Sequence, residues 1–221
     1  MKRVAAVLSV LFGTAIVLVP LGDAGAQGGS PTFAGYTASF PAQAITFNVT
    51  FSVPRSTCLN KQGLDGYLAT EADLIGTSAE GGVEDFISCT STGKTTYQVS
   101  MTNSLGASVS EMVKPGDKLT YEAFVNATSE TYSLTGTTSA PLTLSGPGFL
   151  VDGLDAGQVA QAGPFPQFHQ VKFSNVVVNA TPLSSWHPVG YDQVSGTILV
   201  QEVTPLEHHG EVFFVGYVSQ Y

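Results

Sequence analysis

Charge is scarce in this chain. Of its 221 residues only 11% are Asp, Glu, Lys or Arg, and 8 basic side chains face 17 acidic ones for a formal net charge of −9 at pH 7. Such a surface cannot neutralise a phosphate backbone or an anionic bilayer, so nucleic acid and membrane are excluded as partners. Cysteine is almost absent. The pair Cys58 and Cys89, so far apart, cannot supply a zinc site, and the sequence has no metal-ligand or cofactor-binding spacing elsewhere. Helical periodicity is missing as well. Past residue 26 no window of eleven residues keeps an apolar stripe at a period of 3.6, and Gly and Pro interrupt repeatedly, as in Ser145-Gly146-Pro147-Gly148 and Ala162-Gly163-Pro164-Phe165-Pro166.

The one long apolar run is at the start. Met1-Lys2-Arg3 is basic, Val4 to Pro20 is mostly apolar, and Ala24-Gly25-Ala26 fits a small-x-small cleavage site, so residues 1–26 read as a secretory signal. Ser9, Gly13 and Thr14 break the run and Pro20 ends it, short of the ~20 apolar residues a membrane span needs. Residues 27–221 are expected to form one exported domain. Lys2, Arg3 and Asp23 lie in the leader, so this domain holds 6 basic and 16 acidic residues, a formal −10. Few cations means little repulsion once carboxylates are protonated, and acid tolerance is expected. In an oxidising compartment two cysteines read as one intrachain disulfide worth about 3 kcal/mol; free buried thiols and an intermolecular bridge are the alternatives.

What is abundant is alternation. Ile45, Phe47, Val49, Phe51 and Val53 interleave with Thr46, Asn48, Thr50 and Ser52, a nine-residue strand pattern. Tyr97, Val99 and Met101 repeat it, as do Leu119, Tyr121, Ala123 and Val125 after the turn Lys114-Pro115-Gly116-Asp117. Val171, Phe173 and Val177 form another strand whose second face, Val176 and Val178, is also apolar. Two closing strands are expected at residues 196–203 and 211–218, joined through Thr204-Pro205 and the histidine pair. Residues 27 to about 40 read as a loose arm or an edge strand. Short strands with turn chemistry between them predict an all-β fold, an antiparallel sandwich or barrel.

Several segments, in order, resemble the eqolisin family of glutamic acid endopeptidases. Phe51-Ser52-Val53-Pro54 resembles its Trp-Thr-Val-Pro, Gly63-Leu64-Asp65-Gly66-Tyr67 its GIDG(F/Y), and Asp73-Leu74-Ile75-Gly76-Thr77 the stretch holding Gln-Ile-Gly-Thr. Val113-Lys114-Pro115-Gly116-Asp117 resembles (V/I)SPGD, Phe149-Leu150-Val151-Asp152 resembles Trp-Ile-Val-Glu, and residues 168–174 match a later strand. The resemblance implies two stacked antiparallel sheets, a jelly-roll or concanavalin-like sandwich related in shape to legume lectins and beta-glucanases. It also implies a Gln/Glu dyad in which the carboxyl group is general acid and base and the amide orients the water. Here Leu74 stands in the glutamine's place and Gly148 in the glutamate's. Neither has a side-chain donor or acceptor. The family's tryptophan aligns with Lys61, and the glutamate of its Trp-Tyr-Glu strand aligns near Ser100.

The residual carboxylates at family positions are Asp65, which also reads as a turn aspartate beside glycine, and Asp152, four residues and about 13 Å from position 148 along a strand. Asp73 should face away from Leu74. Asp152 and Asp155 suggest a glycosidase pair only if a cleft sets them about 5 to 9 Å apart. His208 and His209, with Glu207 and Glu211, read as an exposed hairpin tip; His169 and His187 are isolated. Trp186 is a loop anchor or a stacking platform for a ligand. Asn48, Asn126 and Asn179 carry N-x-(S/T) sequons. The sequence therefore predicts a secreted eqolisin-like sandwich without the dyad, non-catalytic and binding peptide or glycan in the former cleft. The alternatives are a divergent acid-acting endopeptidase using Asp65 or Asp152, and a lectin-like sugar binder.

Overall fold

The computed structural model describes residues 28–30, 32–58, 67–90, 92–137, 139–160, 165–195 and 197–218. The expected signal segment and Asp65 lie outside them. The described residues form β1 (Gly28–Ser30), β2 (Phe33–Gln43), β3 (Ile45–Ser52), β4 (Ser56–Thr57), β5 (Leu68–Gly76), β6 (Ala79–Cys89), β7 (Thr95–Thr102), β8 (Ser108–Met112) and β9 (Lys118–Asn126). There follow β10 (Ser129–Thr135), β11 (Leu142–Gly146), β12 (Val151–Ala160), β13 (Gln167–Phe168), β14 (Gln170–Val178), β15 (Thr181–Pro182), β16 (Val189–Ser195), β17 (Ile198–Val203) and β18 (Phe213–Tyr217). Two short 3-10 turns, Leu183–Trp186 and His208–Gly210, are the only helical pieces among them. No helix of the described residues is long and apolar enough to cross a membrane.

Hydrogen-bonded neighbours run in the order β11-β10-β9-β3-β14-β18-β17-β16-β2-β12-β5-β6-β7-β8, almost wholly antiparallel. The path folds back on itself, so that β3, β9, β10, β14 and β18 face β2, β12, β5, β6 and β7 across one apolar layer. Alternation decides what enters that layer. Ile45, Phe47, Val49 and Phe51 are buried, as are Leu119, Tyr121 and Val125 opposite them on β9. Phe173 stacks on Phe213 at 4.5 Å, and Tyr36 of the facing layer meets Phe213 edge-on at 5.0 Å. Each large side chain so enclosed contributes roughly 1.5–3 kcal/mol. The two path ends also meet: the Asn103 side chain donates to Ser145 O, and the Ser104 N–H and hydroxyl donate to Glu130. The sheet is thus nearly closed. A Cys58–Cys89 disulfide, Cα to Cα 5.8 Å, ties the end of β6 to the segment after β4.

Two readings change. Residues 33–43 are no loose arm or edge strand: β2 lies between β16 and β12, hydrogen-bonded on both sides. On β14 the doubled apolar pattern is a bulge. Asn175 takes a φ of 55°, a conformation asparagine tolerates, and the register shifts between Ser174 and Val177. The shift turns Val176 and Val178 inward to join Val171 and Phe173.

Candidate functional site

The strand bearing Leu74 has two faces of opposite chemistry. Leu68, Thr70, Ala72 and Leu74 point into the layer between the sheets, where Leu74 is fully buried beside Leu154 of β12 and Gly81 of β6. The position expected to line an active-site cleft is therefore sealed in the core. Gly148 lies outside any strand with φ +83°, and a Cβ built on it would fall on Asn126 O and Ser129 N of the β9–β10 hairpin. No side chain fits there on this backbone.

The outward face of β5 carries Glu71 and Asp73. The two-residue turn Thr77-Ser78 sets the β5–β6 register, which places Glu84 opposite Glu71 and Gly82 opposite Asp73. On the other side β12 places Asp155 opposite Asp73. A Cβ on Gly82 would fall on the Asp73 carboxylate, so that glycine leaves the space in which the carboxylate lies. Carboxylate oxygens of Glu71, Asp73 and Glu84 lie within 4.8 Å of one another. Asp73 is buried, 8% exposed, while Glu71, Glu84 and Asp155 are half-buried and Glu80 is exposed. Ser100, the position of the family's strand glutamate, stands opposite Glu84 on β7.

Crowding raises the proton affinity of these acids. Burial, then Asp155, Glu84 and Glu80, raises the Glu71 carboxyl well above the usual range. Burial, then Glu71, Glu84, Glu80 and Asp155, does the same to Asp73. Asp155 is pushed up to about 7 by burial and Glu80, and Glu84 is raised by burial and Glu80. Every neighbour acting on these four groups is another acid.

The inward face holds a second polar feature. Gln158, Thr70 and Asp85 stand side by side on β12, β5 and β6, all fully buried. The Gln158 amide donates to the Thr70 hydroxyl, but Gln158 Oε1 and both Asp85 oxygens have no hydrogen-bond partner. Burial, then Asp117, pushes Asp85 up to about 7. An amide and an acid thus share a neighbour, inside the core rather than in a cleft.

The remaining sequence candidates fall elsewhere. Asp152 accepts from the Thr77 hydroxyl at 3.2 Å in an exposed setting, and it is Asp155, not Asp152, that joins the other acids. Trp186 is half-buried, its ring meeting Phe40 edge-on at 5.3 Å. His208 and His209 are exposed at the turn between β17 and β18. Sequence reasoning passed over Glu71 and Glu84, although the spacing Glu71-x-Asp73 on a strand puts both acids on one face.

An almost entirely antiparallel, nearly closed two-sheet sandwich of this order defines an eqolisin-like fold. Solved structures agree. A scytalido-glutamic peptidase with a transition-state analogue inhibitor superimposes with a TM-score of 0.63 at 14% identity, over 85% of this chain and 98% of that one. SCP-B, an eqolisin-family peptidase in complex with the tripeptide Ala-Ile-His, superimposes with a TM-score of 0.59 at 14% identity, over the same shares. No protein-family model matches the chain, and neither does any curated protein.

Proposed function

We propose that this chain is an exported protein that keeps the eqolisin-like sandwich without the Gln/Glu dyad, and that it binds peptide or glycan over the open face of β5, β6 and β12 instead of cleaving it. The observation that carries this reading is the pair of dyad positions: Leu74 is sealed between the sheets, and Gly148 occupies a turn that admits no side chain. The dyad's way of activating water needs an acid and an amide at one accessible point, and among the described residues the outward face of β5, β6 and β12 carries acids but no amide side chain. Export is supported by the leader-like residues 1–26 and by the disulfide, which persists in oxidising compartments. The test is an assay of the purified protein on denatured protein substrates from pH 2 to pH 7, beside binding measurements on peptide and glycan arrays. No cleavage together with saturable binding is expected.

A second reading, a divergent acid endopeptidase, is favoured by one feature: Asp73 and Asp155 face each other in register on the open face. Two adjoining carboxyl groups can share a proton and work as acid and base. It differs from the sequence expectation in its residues, since Asp152 is engaged with Thr77. Cleavage in acid that disappears in Asp155→Asn, with folding intact, would replace the first reading by this one.

A further inference from the structure

We propose that Glu71, Asp73 and Glu84 form a binding site for one hard divalent cation of the calcium class on the open face of β5 and β6. The site goes beyond the dyad reading and does not depend on which ligand, if any, the face receives.

Donor type and spacing come first. The three side chains offer only oxygen, and their ligand atoms lie within 4.8 Å of one another. Calcium takes oxygens at about 2.4 Å, so no two donors of one ion stand farther apart than about 4.8 Å, and these three atoms keep within that limit. Three carboxylates, mono- or bidentate, with Asp155 next to Asp73, give the high oxygen count that calcium accepts. Magnesium keeps most of its water and takes one or two carboxylates, so this set favours the larger ion.

The second observation is Asp73 itself. It is more than nine-tenths buried, yet it accepts no hydrogen bond from any donor among the described residues, and the groups acting on it are four other acids. Glu130 shows the alternative within the same fold: the Ser104 N–H, the Ser104 hydroxyl and the Tyr132 hydroxyl all donate to it. A buried carboxylate without a donor is costly, and a positive ligand removes that cost. Gly82 adds geometry, because its missing side chain lets the Asp73 carboxylate lie over β6.

The experiment uses the full exported protein, stripped with chelator and kept at neutral pH. Terbium is the probe, excited through tyrosine, since Tyr67 stands close enough to Glu84 and Glu71 to feel both. Saturable luminescence, displaced by calcium up to about 10 mM, and a calcium-dependent rise in melting temperature are expected. Asp73→Asn and Glu84→Gln should each weaken calcium binding by about tenfold or more, with folding of each variant checked by its melting temperature without metal. Tyr67→Phe should dim the luminescence without moving the calcium midpoint. Asp152→Asn should change nothing. The proposal is overturned if the parent shows neither saturable luminescence nor a calcium-dependent melting shift, or if folded Asp73→Asn and Glu84→Gln bind calcium as tightly as the parent. Peptidase and glycan assays do not enter, so failure here leaves the dyad reading where it stood.

Discussion

The two faces of β5 belong to one strand and to different chemical worlds. Inward, Leu74 and Ala72 meet hydrocarbon; outward, Asp73 and Glu71 meet acids. A shift of one residue exchanges the two sets, because side chains in a strand alternate strictly. The contrast teaches that chemical capacity on a sheet is a property of a face. Matching a catalytic position by its place in the sequence says little until the facing is known.

The largest expected effect breaks the contrast from inside. Leu74→Gln restores the residue type that the family carries at this place, and on an open face it would shift stability by no more than about 0.5 kcal/mol. In the core the same change loses apolar burial and encloses an amide without partners, at a combined loss of about 4 kcal/mol or more. Urea unfolding of the two proteins decides. A near-neutral result would mean that Leu74 does not face the core.

Next comes the acid on the wrong side of the divide. Asp85 is fully buried without a partner, and its carboxyl is raised from 3.8 to about 7. A group whose folded pKa lies above its unfolded one binds more protons when folded, so its stabilising contribution is complete below about pH 4 and is lost as pH rises through about 7. The span corresponds to about 4 kcal/mol at most. Melting in chelator from pH 4 to pH 8 should show the parent weakening as pH rises, with Asp85→Asn flatter and more stable at pH 8. The raised carboxyls of the outward face act in the same direction. A parent most stable at pH 8 would refute the assignment.

Legibility followed the same divide between position and facing. Where one face is buried and the other wet, as on β3, alternation from Ile45 to Val53 was enough to read the strand. On β14 the alternation survived but looked doubled, because the bulge at Asn175 changes which residues point inward, and a bulge leaves no mark in a periodicity count. β2 and β12 were obscured for another reason. Both are interior strands with a hydrogen-bonded neighbour on each edge, and Phe33 to Gln43 and Val151 to Ala160 carry small residues and glycine rather than a clean apolar period. The Leu74 and Gly148 substitutions were visible by comparison with a family pattern; the sealing of one and the cramped turn of the other were not. Glu71 and Asp73 were readable as a pair, but Glu84 and Asp155 join them only through strand registers. The first of these depends on a two-residue turn at Thr77-Ser78, the second on a long connection with no such local signal.

The smallest expected effect sharpens the comparison along β12, where Asp152 and Asp155 stand three residues apart. A register shift between Val151 and Gly153 interrupts the pairing with β2 at Asp152. Asp152 consequently reaches the Thr77 hydroxyl in solvent, while Asp155 stays opposite Asp73 among the acids. An exposed hydrogen bond of this kind contributes little, so Asp152→Asn should stay within about 0.5 kcal/mol of the parent at every pH. Asp155→Asn differs in sign as well as size: it removes a charge that burial and Glu80 already disfavour, and should stabilise the chelator-treated protein above pH 7 while leaving it little changed near pH 4. Parallel melting curves for the two variants would measure how far the acidic face extends along β12. Equal responses would mean that the face has no boundary at the bulge.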